Sequence, residues 1–241
     1  TQVENFFKNH RVETVINCAA YTQVDLAEDE ADQAFLINET AVEYLSINAK
    51  KHNARLVQIY TDYVFGGDKS TPYEETDVER PLNIYAQSKL NGEQVARRHL
   101  SDSLLILRAS WLYSEFNNNF VKTMLRLMAT KPSISVVSDQ VGAPTWAQSF
   151  ADIIWKTADP KLHGVYHYSD QGECSWYEFA IQIQSEALRL GILDRVIPIH
   201  SVSTSEYPQK AKRTSYGKLD STKLLTALGL KPRSWSKNLT D

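Results

Sequence analysis

Three short apolar runs alternate with helical sequence in the first half of the chain, and this alternation constrains the fold more than any other feature. The runs cover residues 12–21, 54–60 and 103–113. Each is bounded by polar sequence, which is typical of parallel strands buried on both faces. Residues 31–53 and 84–100 carry apolar side chains at helical spacing, and Asn83 can cap the second of these helices. The pattern predicts a doubly wound α/β fold with right-handed crossovers.

The second half of the chain has a different character. It contains predicted helices over residues 120–130, 146–159, 175–193 and 218–230, and predicted strands over 134–139 and 164–170. Ser175 is a plausible cap for the long third helix. We therefore predict a dinucleotide-binding domain over residues 1–116. Residues 117–241 should form mainly a small substrate-binding α/β lobe, with some elements returning to the first domain.

The opening residues, 1–10, read as the end of a helix, and the glycine-rich fingerprint Gly-x-Gly-x-x-Gly does not occur in the sequence. We expect the natural polypeptide to carry roughly 40–50 further residues before Thr1, enough for a strand, a glycine-rich turn, a helix and a second strand. The first of these strands would lie beside residues 12–20. Without it, that edge would be unpaired, and we expect residues 1–241 alone to be insoluble or molten.

Composition excludes several classes of function. The net charge of −3 does not favour nucleic acid or an anionic membrane as a partner. No apolar run reaches the length of a transmembrane helix. Cys18 and Cys174 do not suggest a disulfide framework, and the six histidines are scattered, so we expect no protein metal site. These features together predict a cytoplasmic protein.

Tyr85 and Lys89 form the first candidate for chemistry. Residues four apart share a helix face, so the Lys89 ammonium should lie near the Tyr85 phenol. A nearby cation favours the phenolate and would lower the pKa of Tyr85 from its usual value of about 10. Such a group can exchange a proton with a carbonyl or alcohol oxygen. The alternative is an exposed pair on a solvated helix face.

Thr61 and Asp62 follow the second apolar run, at the carboxyl end of a predicted strand, where open α/β sheets bind their ligands. The Thr61 hydroxyl could bond the same substrate oxygen that Tyr85 protonates, although a Thr in this place also suits an ordinary turn. A strand end with a Thr, then a loop, then a helix starting with Tyr-x-x-x-Lys is the layout of short-chain dehydrogenases.

Several longer segments carry a more specific resemblance. They are residues 15–28, 61–65, 72–77, 81–94, 107–113, 116–125 and 139–146. In order and spacing, from about Val12 to Leu225, they resemble the dTDP-4-dehydrorhamnose reductases of the extended short-chain dehydrogenase/reductase superfamily, which have a Rossmann-like fold.

The resemblance implies a role for each matching residue. Thr61, Tyr85 and Lys89 fall on the catalytic positions. The cofactor-binding positions are Ala20, Tyr21, Thr22, Tyr85 and Lys89, and the substrate-binding positions are Thr61, Asp62 and Trp111. The implied reaction is reduction of the 4-keto group of dTDP-4-dehydro-L-rhamnose by NADPH or NADH, in a monomer or homodimer. Some members of the family use Mg²⁺, but no residue of this sequence indicates a ligand for it.

The chain departs from the family pattern at three positions. Residue 60 is Tyr where Ser is usual, residue 86 is Ala where Gly is commoner, and residue 214 is Thr where Pro is expected. The first change removes a small hydroxyl near the expected nicotinamide. None of the three removes a group proposed for proton transfer.

Two other functions stay open at this point. The same fold serves as a nucleotide-binding regulatory subunit of methionine adenosyltransferase, and a related sugar-nucleotide epimerase would re-oxidise its own product. Trp111 also has two interpretations, because it directly follows a strand. Its indole could stack on a sugar or thymine face, or it could cap the sheet as a core residue.

Overall fold

The computed structural model describes residues 1–157 and 162–240. Its helices are α1 (Gln2–Asn9), α2 (Ala31–Phe35), α3 (Ala41–Lys51), α4 (Ile84–His99), α5 (Phe120–Thr130), α6 (Ala147–Lys156), α7 (Trp176–Arg189), α8 (Thr222–Leu228) and α9 (Trp235–Asn238). Its strands are β1 (Thr14–Asn17), β2 (Arg55–Thr61), β3 (Leu104–Ala109), β4 (Leu112–Tyr113), β5 (Ile134–Val137), β6 (Val141–Gly142), β7 (Thr145–Trp146), β8 (Gly164–Tyr168), β9 (Cys174–Ser175) and β10 (Ile199–Val202). None of the helices in the described ranges is long and apolar enough to cross a membrane.

The main sheet has the strand order β1-β2-β3-β8, and all of its strands run parallel. Residues of β2 and β3 are almost entirely buried because helices cover both faces of the sheet. The prediction of a parallel α/β sheet is therefore confirmed. Within the described ranges, β1 pairs with β2 on one side and has no strand on the other.

The predicted strand over residues 103–113 is wrong in one respect. Strand β3 ends at Ala109, and the chain turns at Trp111, whose φ of 47° lies in the left-handed region. An L-residue there interrupts an extended strand. The next two residues, β4, leave the main sheet and pair with β7 instead. This break directs the Trp111 side chain away from the sheet and toward the second half of the chain.

The predicted helix over residues 31–53 is present but interrupted. A π-helical turn, Leu36–Thr40, separates α2 from α3. This turn places Asn38 in the interior, where its side chain accepts a hydrogen bond from the Tyr21 backbone N–H at 2.9 Å. The Asn38 amide also donates to the Tyr21 carbonyl at 3.1 Å and to Ser88 Oγ at 3.0 Å. π turns are frequent at functional sites, and this one ties the loop after β1 to α4.

Both predicted caps are present. The Asn83 side chain accepts from the Ala86 N–H at the start of α4, and Ser175 forms a capping box with Glu178 at the start of α7. Helix α4 must begin where it does because this cap satisfies its first backbone donors. The predicted helix over residues 146–159 corresponds to α6, while its residues Ala158 and Asp159 lie outside the described residues.

Separate apolar clusters stabilise the two halves. One lies between α5, α7, β5 and β10, and its central residues are Met128, Phe179 and Ile183. Others cover the two faces of the main sheet. Strand β8, from the second half, pairs with β3 in the main sheet. The division at residues 116 and 117 stays a prediction.

Candidate active site

Thr61 and Asp62 lie at the carboxyl end of β2. The Thr61 hydroxyl accepts a hydrogen bond from the Tyr63 backbone N–H at 3.2 Å and donates to Asp62 Oδ1 at 3.2 Å. Thr61 thereby caps the short 3₁₀ turn of residues Asp62–Val64. Thr61 can therefore both form the turn and take part in catalysis. The bond from the Tyr63 backbone N–H uses one acceptor site of the hydroxyl and fixes its position.

Tyr85 and Lys89 lie in the first turns of α4, and both are buried, at 8% and 4% exposure. The Tyr85 phenol lies next to the Thr61 hydroxyl, which acts to lower the pKa of the phenol. Tyr63 packs edge-on against Tyr85, with ring centroids 5.8 Å apart. The structure therefore brings the predicted Thr and Tyr together, while Lys89, one turn further along α4, bonds to the Ile59 carbonyl. The solvated-face alternative is wrong because α4 packs with this face against the sheet.

Burial determines the protonation state of Tyr85. It raises the pKa of the phenol to about 12, while the hydrogen bond with Thr61 lowers it and the nearby Asp62 raises it. Lys89 is not among the groups that shift this pKa. The expectation that Lys89 lowers the pKa of Tyr85 is wrong in this structure. The reason is geometric: the ammonium donates to the Ile59 carbonyl at 3.0 Å and lies 4.6 Å from the centroid of the Tyr60 ring.

Asp62 is an incompletely paired buried acid. Its side chain is 3% exposed, and Oδ2 has no hydrogen-bond partner among the described residues. A Cβ atom on Gly217 would lie 2.9 Å from this oxygen, so the absence of a side chain there lets the tail close over the carboxyl. Burial raises the pKa of Asp62 to about 7, although its hydrogen bond with Thr61 lowers it. An underpaired buried acid beside a predicted catalytic hydroxyl is typical of a functional site.

The predicted cofactor loop, Ala20 to Thr22, follows the carboxyl end of β1. Tyr21 is buried in one apolar cluster with Tyr85, and its hydroxyl donates to Glu30 Oε2 at 2.9 Å. The hydrogen bonds from Asn38 hold the Tyr21 backbone on both sides. The loop and α4 therefore lie side by side near the carboxyl ends of the strands, where open α/β sheets bind nucleotides.

Trp111 is packed on both sides. One face of its indole stacks on Trp176, with ring centroids 3.5 Å apart and planes within 8°. On the other side, a Cβ atom on Gly142 would lie 2.7 Å from the Trp111 ring, so a side chain there is excluded. Gly142 belongs to the 139–146 segment, which explains why that segment needs glycine.

A cavity of about 280 Å³ lies beside these residues. It is lined by Tyr63, Phe120, Met124, Ser135, Val136, Val137, Gln140, Trp176, Tyr207, Gln209 and Arg213. Arg213 is bound to Asp25 at 2.8 Å and lies over the Tyr63 ring. Tyr63 also contacts Tyr85, so it lies between the cavity and the predicted catalytic residues, which are not among the lining residues. Sequence analysis missed Trp176, which exposes an aromatic surface here that Trp111 does not.

A second cluster of buried charge lies next to the site. Arg108 donates to Glu93 through Nε at 3.1 Å and Nη2 at 2.6 Å, and Nη2 also donates to Glu79 at 2.6 Å. His167 Nδ1 donates to the Tyr73 carbonyl at 2.9 Å, so Nε2 can accept from Arg108 at 3.3 Å. Burial and Arg108 lower the pKa of His167 to about 3. The sequence analysis missed this cluster. The one feature that could have indicated it is Glu93, which follows Lys89 by four residues on the same helix face.

Among the described residues, no group of three or more His, Cys, Asp or Glu side chains is arranged to hold a metal ion. The chemistry of the site is instead that of a phenol, a hydroxyl and an ammonium at the carboxyl end of a parallel strand. Fold and residues together define a nicotinamide-dependent oxidoreductase of the short-chain dehydrogenase type.

Comparison with known proteins narrows this class. Residues 1–241 match the family model described as the RmlD substrate binding domain. The chain is 41% identical over 231 residues to the dTDP-4-dehydrorhamnose reductase of Aggregatibacter actinomycetemcomitans, covering 93% of this chain and 78% of the relative. The Escherichia coli K12 reductase of the same name is 37% identical, with 93% and 77% covered.

A solved structure gives the same result. The dTDP-4-dehydrorhamnose reductase of Bacillus anthracis, crystallised in complex with NADP, superposes with a TM-score of 0.92 and 39% identity, covering 99% of this chain and 82% of the other. The chain belongs to the dTDP-4-dehydrorhamnose reductase family. The comparisons do not favour the regulatory-subunit or epimerase alternatives.

Proposed function

We propose that the protein reduces the 4-keto group of dTDP-4-dehydro-L-rhamnose to the alcohol of dTDP-L-rhamnose, with NADPH or NADH as the reductant. The cofactor would supply the hydride that adds to the keto carbon. The oxidised cofactor, NADP⁺ or NAD⁺, would then leave. The keto oxygen takes a proton from the protein, so the carbonyl becomes a secondary alcohol. The remaining steps are carried by the chain's own residues.

One observation carries this proposal: the Thr61 hydroxyl and the Tyr85 phenol meet at the carboxyl end of β2, beside the cavity that Tyr63 lines. A carbonyl oxygen placed between these two groups would accept a hydrogen bond from the Tyr85 phenol, and one from Thr61 when its hydroxyl turns its proton from Asp62 Oδ1 to the substrate. Because burial holds the pKa of Tyr85 at about 12, the phenol is protonated at neutral pH and can act as the acid. It then regains its proton from solvent after the product leaves.

The cofactor would lie along the wall formed by Ala20, Tyr21 and Thr22. The Tyr21 backbone, whose polar groups are bonded to Asn38, shapes this wall after the carboxyl end of β1. The donors for a nucleotide come from Lys89, which offers N–H groups beyond the one that binds Ile59. An ammonium has three donors, so those that remain can hold the ribose hydroxyls next to the nicotinamide.

The substrate would occupy the cavity of about 280 Å³. Asp62 and Trp111 are its proposed contacts, through the carboxyl beside Thr61 and through the edge of the stacked indole. The Trp176 indole, which lines the cavity, suits the flat thymine ring better than a charged group. We further propose that the protein acts in the cytoplasm as a monomer or homodimer.

Turnover decides between this proposal and its rivals. Purified protein mixed with dTDP-4-dehydro-L-rhamnose and NADPH or NADH should consume cofactor in proportion to the rhamnose product formed. A regulatory subunit would show no turnover, and an epimerase would change the sugar without net consumption of cofactor. Either outcome would contradict the proposal.

The Lys89→Ala variant provides a second test of the proposed function. Since Lys89 is proposed to bind the ribose and to act beside Tyr85, this variant should lose turnover and also bind NADPH more weakly. A variant that lost turnover but kept full cofactor affinity would assign Lys89 to the chemical step alone. Cofactor affinity is measured by fluorescence titration.

A further inference from the structure

The Lys89 ammonium is held in a buried position by two contacts. Its Nζ donates to the Ile59 carbonyl at 3.0 Å, and it lies 4.6 Å from the centroid of the Tyr60 ring. Lys89 is 4% exposed and Tyr60 is 3% exposed, so water screens this pair little. A cation over a buried aromatic face is attracted by the ring quadrupole, and desolvation strengthens the attraction.

The position of Tyr60 follows from β2 and α4. Side chains alternate along a strand, so Tyr60 lies on the opposite face from Thr61 and packs in an apolar cluster with Leu56 and Val95. Room for the ring comes from Gly92 in α4. A Cβ atom there would lie 3.0 Å from the Tyr60 hydroxyl, and it would collide with the Asn38 carbonyl.

The Tyr60 hydroxyl has no partner among the described residues. A buried, unpaired hydroxyl costs stability, so the polar atom does not explain why tyrosine occupies this position. Its ring does make a specific contact, with the Lys89 ammonium.

Without such a contact, burial would strongly favour loss of the Lys89 proton. Burial lowers the pKa of Lys89 to about 8, and the charge of Glu93, four residues along α4, raises it. The Glu93 carboxylate is itself occupied by Arg108 and Arg97. Its support for the ammonium is therefore partly neutralised, which leaves the ring of Tyr60 on β2 as the adjoining electron-rich surface.

We propose that Tyr60 is a positioning residue for Lys89, whose aromatic face keeps the buried ammonium charged and directed toward the site. The role of the ammonium rests on the proposed function, but the contact with Tyr60 does not. In this chain the Tyr60 ring, on β2, stabilises the charged form of Lys89.

Three variants separate the ring from the hydroxyl and from packing. Tyr60→Phe keeps the aromatic face and removes the unpaired hydroxyl. Tyr60→Leu keeps an apolar side chain and removes the face. Phe7→Leu is the matched control, because Phe7 is buried in the same apolar cluster but lies on α1. Tyr60→Met replaces Tyr60→Leu if the leucine variant does not fold.

The primary readout is the pKa of Lys89, measured by heteronuclear NMR of labelled lysine side chains. Tyr60→Leu should lower this pKa by about one unit, since a desolvated cation–π contact corresponds to roughly a tenfold change in the protonation equilibrium. Tyr60→Phe and Phe7→Leu should leave the Lys89 pKa near its wild-type value. At pH 8 the NADPH dissociation constant should rise about fivefold in Tyr60→Leu, because a one-unit fall in the Lys89 pKa from about 8 cuts the charged fraction from about one half to about one tenth. It should change little in the other two variants.

Two results would overturn the inference. One is a Lys89 pKa in Tyr60→Leu equal to that in Phe7→Leu, which would make Tyr60 a packing residue. The other is an equal shift in Tyr60→Phe and Tyr60→Leu, which would assign the effect to the hydroxyl. Because the NMR titration needs neither substrate nor turnover, a failure of the proposed reductase activity would not be confused with a failure of this inference.

Discussion

Two clusters of polar side chains lie next to each other, one around Thr61 of β2 and the other around Arg108 of β3. They differ in how completely their side chains are hydrogen-bonded. The paired cluster, Arg108, Glu93, Glu79 and His167, gives each of its side chains a hydrogen-bond partner. The proposed catalytic cluster, Thr61, Asp62, Tyr85 and Lys89, leaves Asp62 Oδ2 without a partner among the described residues, and burial raises the pKa values of Tyr85 and Asp62. Burial alone does not distinguish them, because both lie in the interior.

The difference indicates that buried polar groups left without hydrogen-bond partners in this chain are available to bind a ligand. A buried charge costs several kcal/mol unless opposite charges and hydrogen bonds compensate it. The paired cluster has this compensation within the chain, so it holds strand and helix together and has nothing left for a ligand. The catalytic cluster is underpaired, so its donors and acceptors remain for substrate and cofactor. Loss of a side chain should therefore affect stability in the first cluster and function in the second.

The largest effect is expected for Tyr85→Phe. The phenol donates its proton only in the transition state, so turnover should fall by roughly 10²–10⁴-fold while NADPH affinity stays close to wild type. The measurements are steady-state turnover at saturating substrate and a cofactor titration. Near-normal turnover would show that Tyr85 is not the acid.

In the paired cluster, Glu93→Gln should instead reduce stability. The substitution leaves the buried Arg108 guanidinium without the carboxylate that accepts two of its hydrogen bonds. Breaking one side of a buried ion pair costs about 3–5 kcal/mol, which chemical denaturation at neutral pH can measure. A Glu93→Gln protein of wild-type stability would mean that water or another group replaces the carboxylate.

Asp62→Asn sharpens the contrast, since it should act in the opposite direction. The pKa of Asp62 is raised to about 7 in the folded chain, against about 3.9 when unfolded, so ionised Asp62 opposes folding. This cost is fully present above about pH 7 and disappears below about pH 4. Asp62→Asn should therefore stabilise the protein by on the order of 4 kcal/mol at pH 8 and by little at pH 4.

The same Asp62→Asn variant should bind the sugar nucleotide more weakly, if Asp62 contacts substrate. Denaturation at the two pH values and the Michaelis constant test both statements. If the variant were less stable than wild type at pH 8, Asp62 would belong with the paired cluster rather than the catalytic one.

The smallest effect concerns Trp111. Trp111→Ala should raise the Michaelis constant for the sugar nucleotide more than it changes cofactor affinity, because an aromatic stack contributes about 1–3 kcal/mol. Trp176→Ala is the matched comparison, since the two indoles stack on each other and Trp176 lines the cavity. A purely structural Trp111 would lower the melting temperature and shift both ligand affinities alike.

Local sequence predicted much of the frame. Asn83 and Ser175 cap their helices as expected, since an N-cap bond involves only residues within one turn. Apolar runs predicted β2 and β3 because strands buried on both faces carry few polar side chains. The break at Trp111 was not predicted. It depends on Gly142 and Trp176, which are distant in sequence and hold the indole from both sides.

The sequence by itself determined the class of fold and which residue types could move a proton, because spacing and strand-end position are local properties. Its longer segments indicated the family by resemblance. Only the tertiary structure decided how those groups are charged. Lys89 was expected to lower the pKa of Tyr85, yet the ammonium is turned toward Ile59 and Tyr60, and burial raises the phenol pKa instead. Desolvation depends on everything packed around a group, and in this site the surrounding atoms come from β2, α4 and the segment near Gly217.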